Sequence, residues 1–128
     1  MSIGSPTEVG PDTVVHRIGG GAPDNLKLSI IDATLEPPGI SVLLGGTPQA
    51  AVHQMRTAFP RSRKWHEATL TVGVTTAAAI RQTGFEVVPD PTARFPNHAR
   101  LIHPDGVAGF NETNLVMLAL VFENTTEL

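Results

Sequence analysis

Residues 84–104 read G-F-E-V-V-P-D-P-T-A-R-F-P-N-H-A-R-L-I-H-P. Two short runs, Phe85 to Val88 and His98 to His103, flank a segment punctuated by Pro89, Pro91 and Pro96. The apolar and β-branched content of the runs predicts two strands. Proline fixes φ and removes a backbone donor, so the segment between them is stiff and irregular. Such a loop can hold Asp90, Arg94, Asn97 and His98 in fixed positions without regular structure. In the second run Ala99, Leu101 and His103 alternate with Arg100 and Ile102, giving one largely apolar face.

Toward the N-terminus, Gly84 suits the left-handed position just past a helix. The Ala-rich residues 76–83 predict that helix, with Thr75 as its cap. His66 to Val74 predicts a strand with Ala68, Leu70, Val72 and Val74 on one face. Thr47 and Pro48 form a helix start, since a Thr N-cap followed by Pro at the first helical position wastes no donor. Ala51, Val52, Met55, Ala58 and Phe59 then line one helical face, and Pro60 ends it. Ile40 to Leu44, after the break at Pro37-Pro38-Gly39, predicts a central strand. Leu26, Leu28 and Ile30 alternate with Lys27, Ser29 and Ile31 and predict a half-buried strand. Thr13 to Ile18 predicts the first strand, ending in the turn chemistry of Gly19-Gly20-Gly21. Residues 1–11 are expected to be a flexible leader.

Toward the C-terminus, Asn111 is a candidate N-cap before the apolar run Leu115 to Phe122. Its Leu, Met and Ala favour a helix, although eight apolar residues in a row also fit a buried strand. Glu123 and Glu127 sit badly at a helix C-terminus, where negative charge is unfavourable. Together these readings predict an α+β fold: a leader over 1–11 and one compact domain over 12–128, with five or six short strands in a mixed sheet and two or three helices.

At 128 residues, with 41% hydrophobic and 16% charged residues, the chain can build a single core. The formal charge of −3 argues against general nucleic-acid binding, and the cluster Arg61, Arg63, Lys64 is too short to reverse it. With no cysteine there are no disulfides, thiolate metal sites or thiol catalysis. The run 115–122 is far shorter than the roughly 20 residues a spanning helix needs, and the N-terminus lacks signal-peptide features. A cytoplasmic protein away from membranes is expected.

The I-S-V strand, the Thr-Pro helix start, V-G-V-T-T-A-A-A-I, G-F-E-V-V-P-D-P and F-P-N-H-A-R-L-I together resemble a group of small bacterial proteins to which no activity is attached. The matching positions are Arg17, Ser41, Val42, Thr75, Gly84, Asp90, Pro91, Pro96, His98 and Ala99. The resemblance spans about two-thirds of the chain. Members of the group usually end in a basic helix, whereas this chain ends in apolar and then acidic residues.

Candidate site residues follow from side-chain chemistry. His98, between a Pro-Asn turn and a strand, can serve acid–base chemistry or bind a ligand, or it can simply organise the loop together with Asn97. Arg17, beside His16 on the first strand, is a paired inward charge, a ligand contact or an outward-facing residue. Ser41 on a second strand, with Arg17 and a histidine, is similar to the way ADP-ribosyltransferase-like folds hold a nicotinamide dinucleotide. Those sites also use a glutamate, for which only Glu67 and Glu86 are candidates here. Asp90, Asn97 and His98 extend the ligand-binding set, and Trp65 is a candidate anchor for a protein partner. His53, His66, His98, His103, Asp90 and Asp105 show no metal-ligand spacing, and neither glycine cluster has the Lys-Ser/Thr of a P-loop. No metal or cofactor is expected. The leading expectation is a non-enzymatic accessory protein that binds a protein partner, as in bacterial conflict systems. Homo-oligomers fit the same surface. The alternatives are a nucleotide-processing enzyme that uses Arg17, Ser41 and His98, and an immunity or inhibitor protein.

Overall fold

A computed structural model describes residues 9–67 and 69–126, with the side chain of Glu67 outside that description. The chain forms β1 (Val14–Ile18), α1 (Pro23–Leu26), α2 (Ile30–Thr34), β2 (Gly39–Leu44), α3 (Pro48–Ala58), α4 (Arg63–Glu67), β3 (Val72–Thr76), α5 (Ala77–Gln82), β4 (Glu86–Pro89), β5 (His98–Ile102), α6 (Glu112–Ala119) and β6 (Glu123–Thr125). The strands form one sheet in the order β4-β5-β2-β1-β3-β6. The fold is α+β as the sequence predicts. Among the described residues the sheet is antiparallel at every pairing rather than mixed, and six helices form instead of two or three.

Strand alternation divides the buried side chains between two faces of the sheet. Val15, Ile40, Val42, Val87, Ala99 and Leu101 point to one face and pack with Leu26, Ala77, Ile80, Leu115 and Leu118 from α1, α5 and α6. The opposite face is covered by α3 and α4, where Val52, Leu70 and Val72 form a smaller cluster with Trp65, Ile18 and Val74 at its margin.

Several elements differ from the sequence reading, each for a local reason. The strand expected at Leu26 to Ile30 is replaced by two helical turns. Pro23 opens α1, and Ser29 with Asp32 closes a reciprocal capping box that opens α2. The expected strand from His66 begins only at Val72, because residues 63–67 form α4. That helix is tied to α3 where Arg56 Nε donates to the Trp65 carbonyl at 2.6 Å. The cap of α5 is Thr76 rather than Thr75. Thr75 remains in β3, with a buried hydroxyl that has no partner among the described residues.

Residues 115–122 are helical only as far as Ala119. The chain then turns, with Val121 and Phe122 donating back to Leu118 and Ala119, and enters β6. Glu123 therefore lies on an edge strand and not at a helix end, which removes the charge conflict. Of the expected leader, residues 1–8 lie outside the described residues. Val9 to Pro11 are tied down: Val9 is buried, its carbonyl accepts from Arg81, and the Pro11 carbonyl accepts from Ala78. No helix of the described residues is long and apolar enough to cross a membrane.

Candidate functional site

The sheet face under α3 and α4 is not sealed. Between the strands, the C-terminal half of α3, α4 and the β4–β5 loop lies a cleft of about 420 Å³, within the roughly 300–1,000 Å³ range of small-molecule sites. Its floor can be read from the register. His16 pairs with Leu43, and Leu43 with His98, so His16, Leu43 and His98 lie side by side across β1, β2 and β5. Two residues along, Ser41 pairs with Arg100 on the same face. Phe59, Trp65, Met55 and Phe95 contribute apolar walls.

Arg17 is held by the turn that follows its own strand. Gly19 and Gly20 adopt φ values of 96° and 98°, which glycine alone takes without strain. A Cβ on Gly73 of the neighbouring strand would lie 2.6 Å from the Gly21 nitrogen, so the turn packs directly on β3. The turn leads into Asn25. The Asn25 side chain donates to the carbonyls of Ile18 and Gly20, at 3.1 and 2.6 Å, and its own carbonyl faces Arg17. Arg17 Nε and Nη2 donate to that carbonyl at 2.9 and 2.7 Å, and Nη1 donates to the Ser41 carbonyl at 2.8 Å. The guanidinium thus bridges β1, α1 and β2 at the cleft margin. Burial pulls its pKa below the ordinary value, and the charge of Asp32 opposes that. Of its five donors, three are engaged in these bonds.

The β4–β5 loop places His98. Asp90 N–H donates to the His98 carbonyl at 2.9 Å, and Thr92 and Phe95 close the loop between them with bonds of 3.0 and 2.9 Å. Phe95 lies against Phe59, with ring centroids 6.1 Å apart. His98 Nδ1 sits 2.8 Å from the Asp90 carbonyl and 3.4 Å from its carboxylate. A carbonyl only accepts, so Nδ1 carries the proton and Nε2 is left as the acceptor in the neutral ring. Asp90 does not line the cleft. It orients His98 and stands 3.3 Å from Arg100 Nε.

Arg17, Ser41 and His98, three residues picked out on separate strands, therefore line one cleft, and Trp65 lines it with them. Trp65 is partly buried, with Lys64 Nζ 4.7 Å from its ring centroid. Asn97 lies outside the cleft, in a reciprocal amide pair with Gln54 of α3 at 2.6 and 3.1 Å, and it donates to the Leu44 carbonyl. Arg94 does not line the cleft; its guanidinium lies over the Phe59 ring, 5.2 Å from its centroid. Glu86 is engaged with Arg81 at 2.7 Å. Among the described residues no carboxylate lines the cleft; the side chain of Glu67, the other glutamate considered, lies outside the described residues. Nor do three or more His, Cys, Asp or Glu side chains gather to hold a metal ion among the described residues.

Two site residues escaped the sequence reading. Asn25 lies a few residues past the glycine turn, and nothing local marks its carbonyl as the anchor of Arg17. His16 had a signal: strand alternation sets it on the face opposite Val15, beside Ile18, where a polar residue stands out. It is buried, and among the described residues neither ring nitrogen has a hydrogen-bond partner. Burial lowers its pKa, an effect the Leu43 backbone offsets in part without forming a well-aligned bond.

Compared with protein families, curated proteins and solved structures, the chain matches none. The likeness of its short motifs to small bacterial proteins rests on those motifs alone.

Proposed function

We propose that this domain binds a small anionic ligand with an aromatic part, of the mononucleotide type, in the cleft on the α3–α4 face. The observation that carries this reading is the convergence of Arg17, Ser41 and His98 with Phe59, Phe95 and Trp65 in one cavity whose described lining has no carboxylate. The chain as a whole is acidic, at −3, so a cleft bearing Arg17 and Lys64 with no acidic side chain in its described lining is a local reversal of charge. Such a reversal favours an anion. The aromatic walls favour a flat apolar part beside it. In this reading Arg17 takes the anionic group with its remaining donors, and Ser41 and His98 Nε2 orient the polar middle. If chemistry follows binding, His98 is the acid–base group, since its tautomer is already set.

Thermal melting with AMP, adenosine and inorganic phosphate tests the reading. A ligand at a hundredfold excess over its Kd adds roughly 2.7 kcal/mol to apparent stability. AMP should raise the melting temperature of the native chain, and Arg17→Ala should remove most of that rise. No shift with millimolar AMP or with other mononucleotides would discard the proposal.

A second reading, an accessory protein that binds a protein partner, is supported by a different surface. Ile30 and Ile31 on α2 are 89% and 74% exposed, and Leu120 at the end of α6 is 74% exposed. Exposed side chains of this size suit a contact surface. By analogy with other small bacterial proteins, an accessory, immunity or inhibitor role in a defence or toxin–antitoxin-type system belongs to this reading. Sedimentation of the purified chain, alone and with the products of neighbouring genes, tests it. A strictly monomeric chain with no associating neighbour speaks against it.

A further inference from the structure

Resting on the reading of the cleft as a small-ligand site, we propose that His16 is a direct ligand contact, its ring meeting the neutral hydrogen-bonding edge of an aromatic heterocycle while Arg17 faces the anionic end.

The two histidines of the floor are treated differently by the protein. His98 has a partner for Nδ1 in the Asp90 carbonyl. Among the described residues neither nitrogen of His16 has a hydrogen-bond partner of good geometry, the Leu43 backbone being the nearest contributor, although the side chain is fully buried and contributes to the cleft lining. A buried polar atom without a partner weakens the fold, and native proteins satisfy the great majority of them. A leucine or phenylalanine at the same position would avoid the penalty. An imidazole kept there is accounted for if something outside the chain supplies the missing bond.

The surroundings define that something. His16 lies between Val74 and Leu43 across the sheet, both apolar. Among the described residues no carboxylate in the cleft lining would favour its charged form, and burial already disfavours it. A neutral imidazole offers one donor and one acceptor, which suits an amide-like or heterocyclic edge better than a phosphate. His98 lies two strands away, roughly 10 Å at the usual strand spacing. A flat ring resting on Leu43, under the aromatic walls, spans that interval. The guanidinium of Arg17 stands at the cleft margin, where an anionic substituent of the same molecule would emerge.

The test compares the native chain with His16→Phe, His16→Leu and His16→Gln. Calorimetric titration uses three probes: AMP, adenosine and ribose 5-phosphate. Melting of each ligand-free protein at pH 7.5 provides an independent readout. The Phe and Leu variants should melt at or above the native temperature. They should bind AMP and adenosine roughly tenfold or more weakly, as loss of a buried hydrogen bond implies. Their affinity for ribose 5-phosphate should be unchanged, and His16→Gln should recover part of the lost adenosine binding. If both apolar variants melt below the native chain, or bind adenosine as well as it does, the assignment of His16 is overturned. If none of the three probes binds the native chain, the mononucleotide-type reading fails, while the melting comparison still decides whether His16 is held against the interest of the fold.

Discussion

The two faces of this sheet are built to different standards. On one, β1, β2, β4 and β5 meet α1, α5 and α6 across a continuous core in which Ile40, Ile80, Leu101 and Leu118 are fully buried. On the other, α3 and α4 stand off far enough to leave a cavity, and the core shrinks to Val52, Leu70 and Val72 beside the buried His16. The first face has what a fold needs. The second gives up packing that a purely structural layer would keep. Natural proteins break such rules most often at functional sites, where stability is exchanged for activity.

The contrast is sharpest for core truncation. Leu101→Ala, on the sealed face, should destabilise by about 2–5 kcal/mol, the range for leucine deletions that leave a cavity. Met55→Ala, whose partly exposed side chain borders an existing cavity, should cost far less. Urea unfolding of both variants measures the difference. Equal losses would mean that the second face carries the fold as much as the first, and the comparison would collapse.

The legible elements were those marked by local signals, whichever face they serve. The alternation in His98 to His103, the apolar run Ile40 to Leu44 and the Thr-Pro start of α3 are local signals, and each element forms where those signals lie. The misreadings came where local chemistry competed. Leu26, Leu28 and Ile30 alternate like a strand, but Pro23 and the Ser29–Asp32 box impose helical turns, leaving Leu26 buried and Ile30 in solvent. The cleft was legible only as separate residues. Arg17, Ser41 and His98 stood out as polar groups on strands, yet their meeting depends on β5 pairing with β2, a strand more than fifty residues earlier in the chain. No spacing in the sequence states that pairing. Asn25 was invisible for the same reason, since its role is a backbone carbonyl.

A smaller effect probes how the open face keeps its shape. The Asn97–Gln54 amide pair joins the β4–β5 loop to α3, two of the elements that wall the cleft. Asn97→Ala removes that pair and the donor to Leu44, leaving the Gln54 amide unmatched. The expected cost is about 1–3 kcal/mol. Because only the open face depends on this bond, amide exchange should quicken in residues 90–98 while the strands against α5 and α6 keep their protection. Uniformly faster exchange would show that the two faces do not open separately.

The smallest effect, close to nil at neutral pH, is also the most specific to the open face. Burial sets the pKa of His16 below its ordinary 6.5. In the unfolded chain this histidine takes a proton as pH falls through 6.5, while in the folded chain it resists until lower pH. Between those two values the unfolded state binds more protons, so stability declines as pH falls, by at most about 1.4 kcal/mol per pH unit for one group. Above 6.5 both states are neutral and the contribution vanishes. Other groups titrate over the same range, so the informative quantity is the difference between the native chain and His16→Phe. That difference should be flat above pH 6.5 and widen below it in favour of the variant, as read by denaturant unfolding at a series of pH values. A difference that stays constant down to pH 5 would mean that the ring at position 16 is protonated as easily folded as unfolded. The floor of the cleft would then be wet, and the two faces of the sheet would differ in packing but not in polarity.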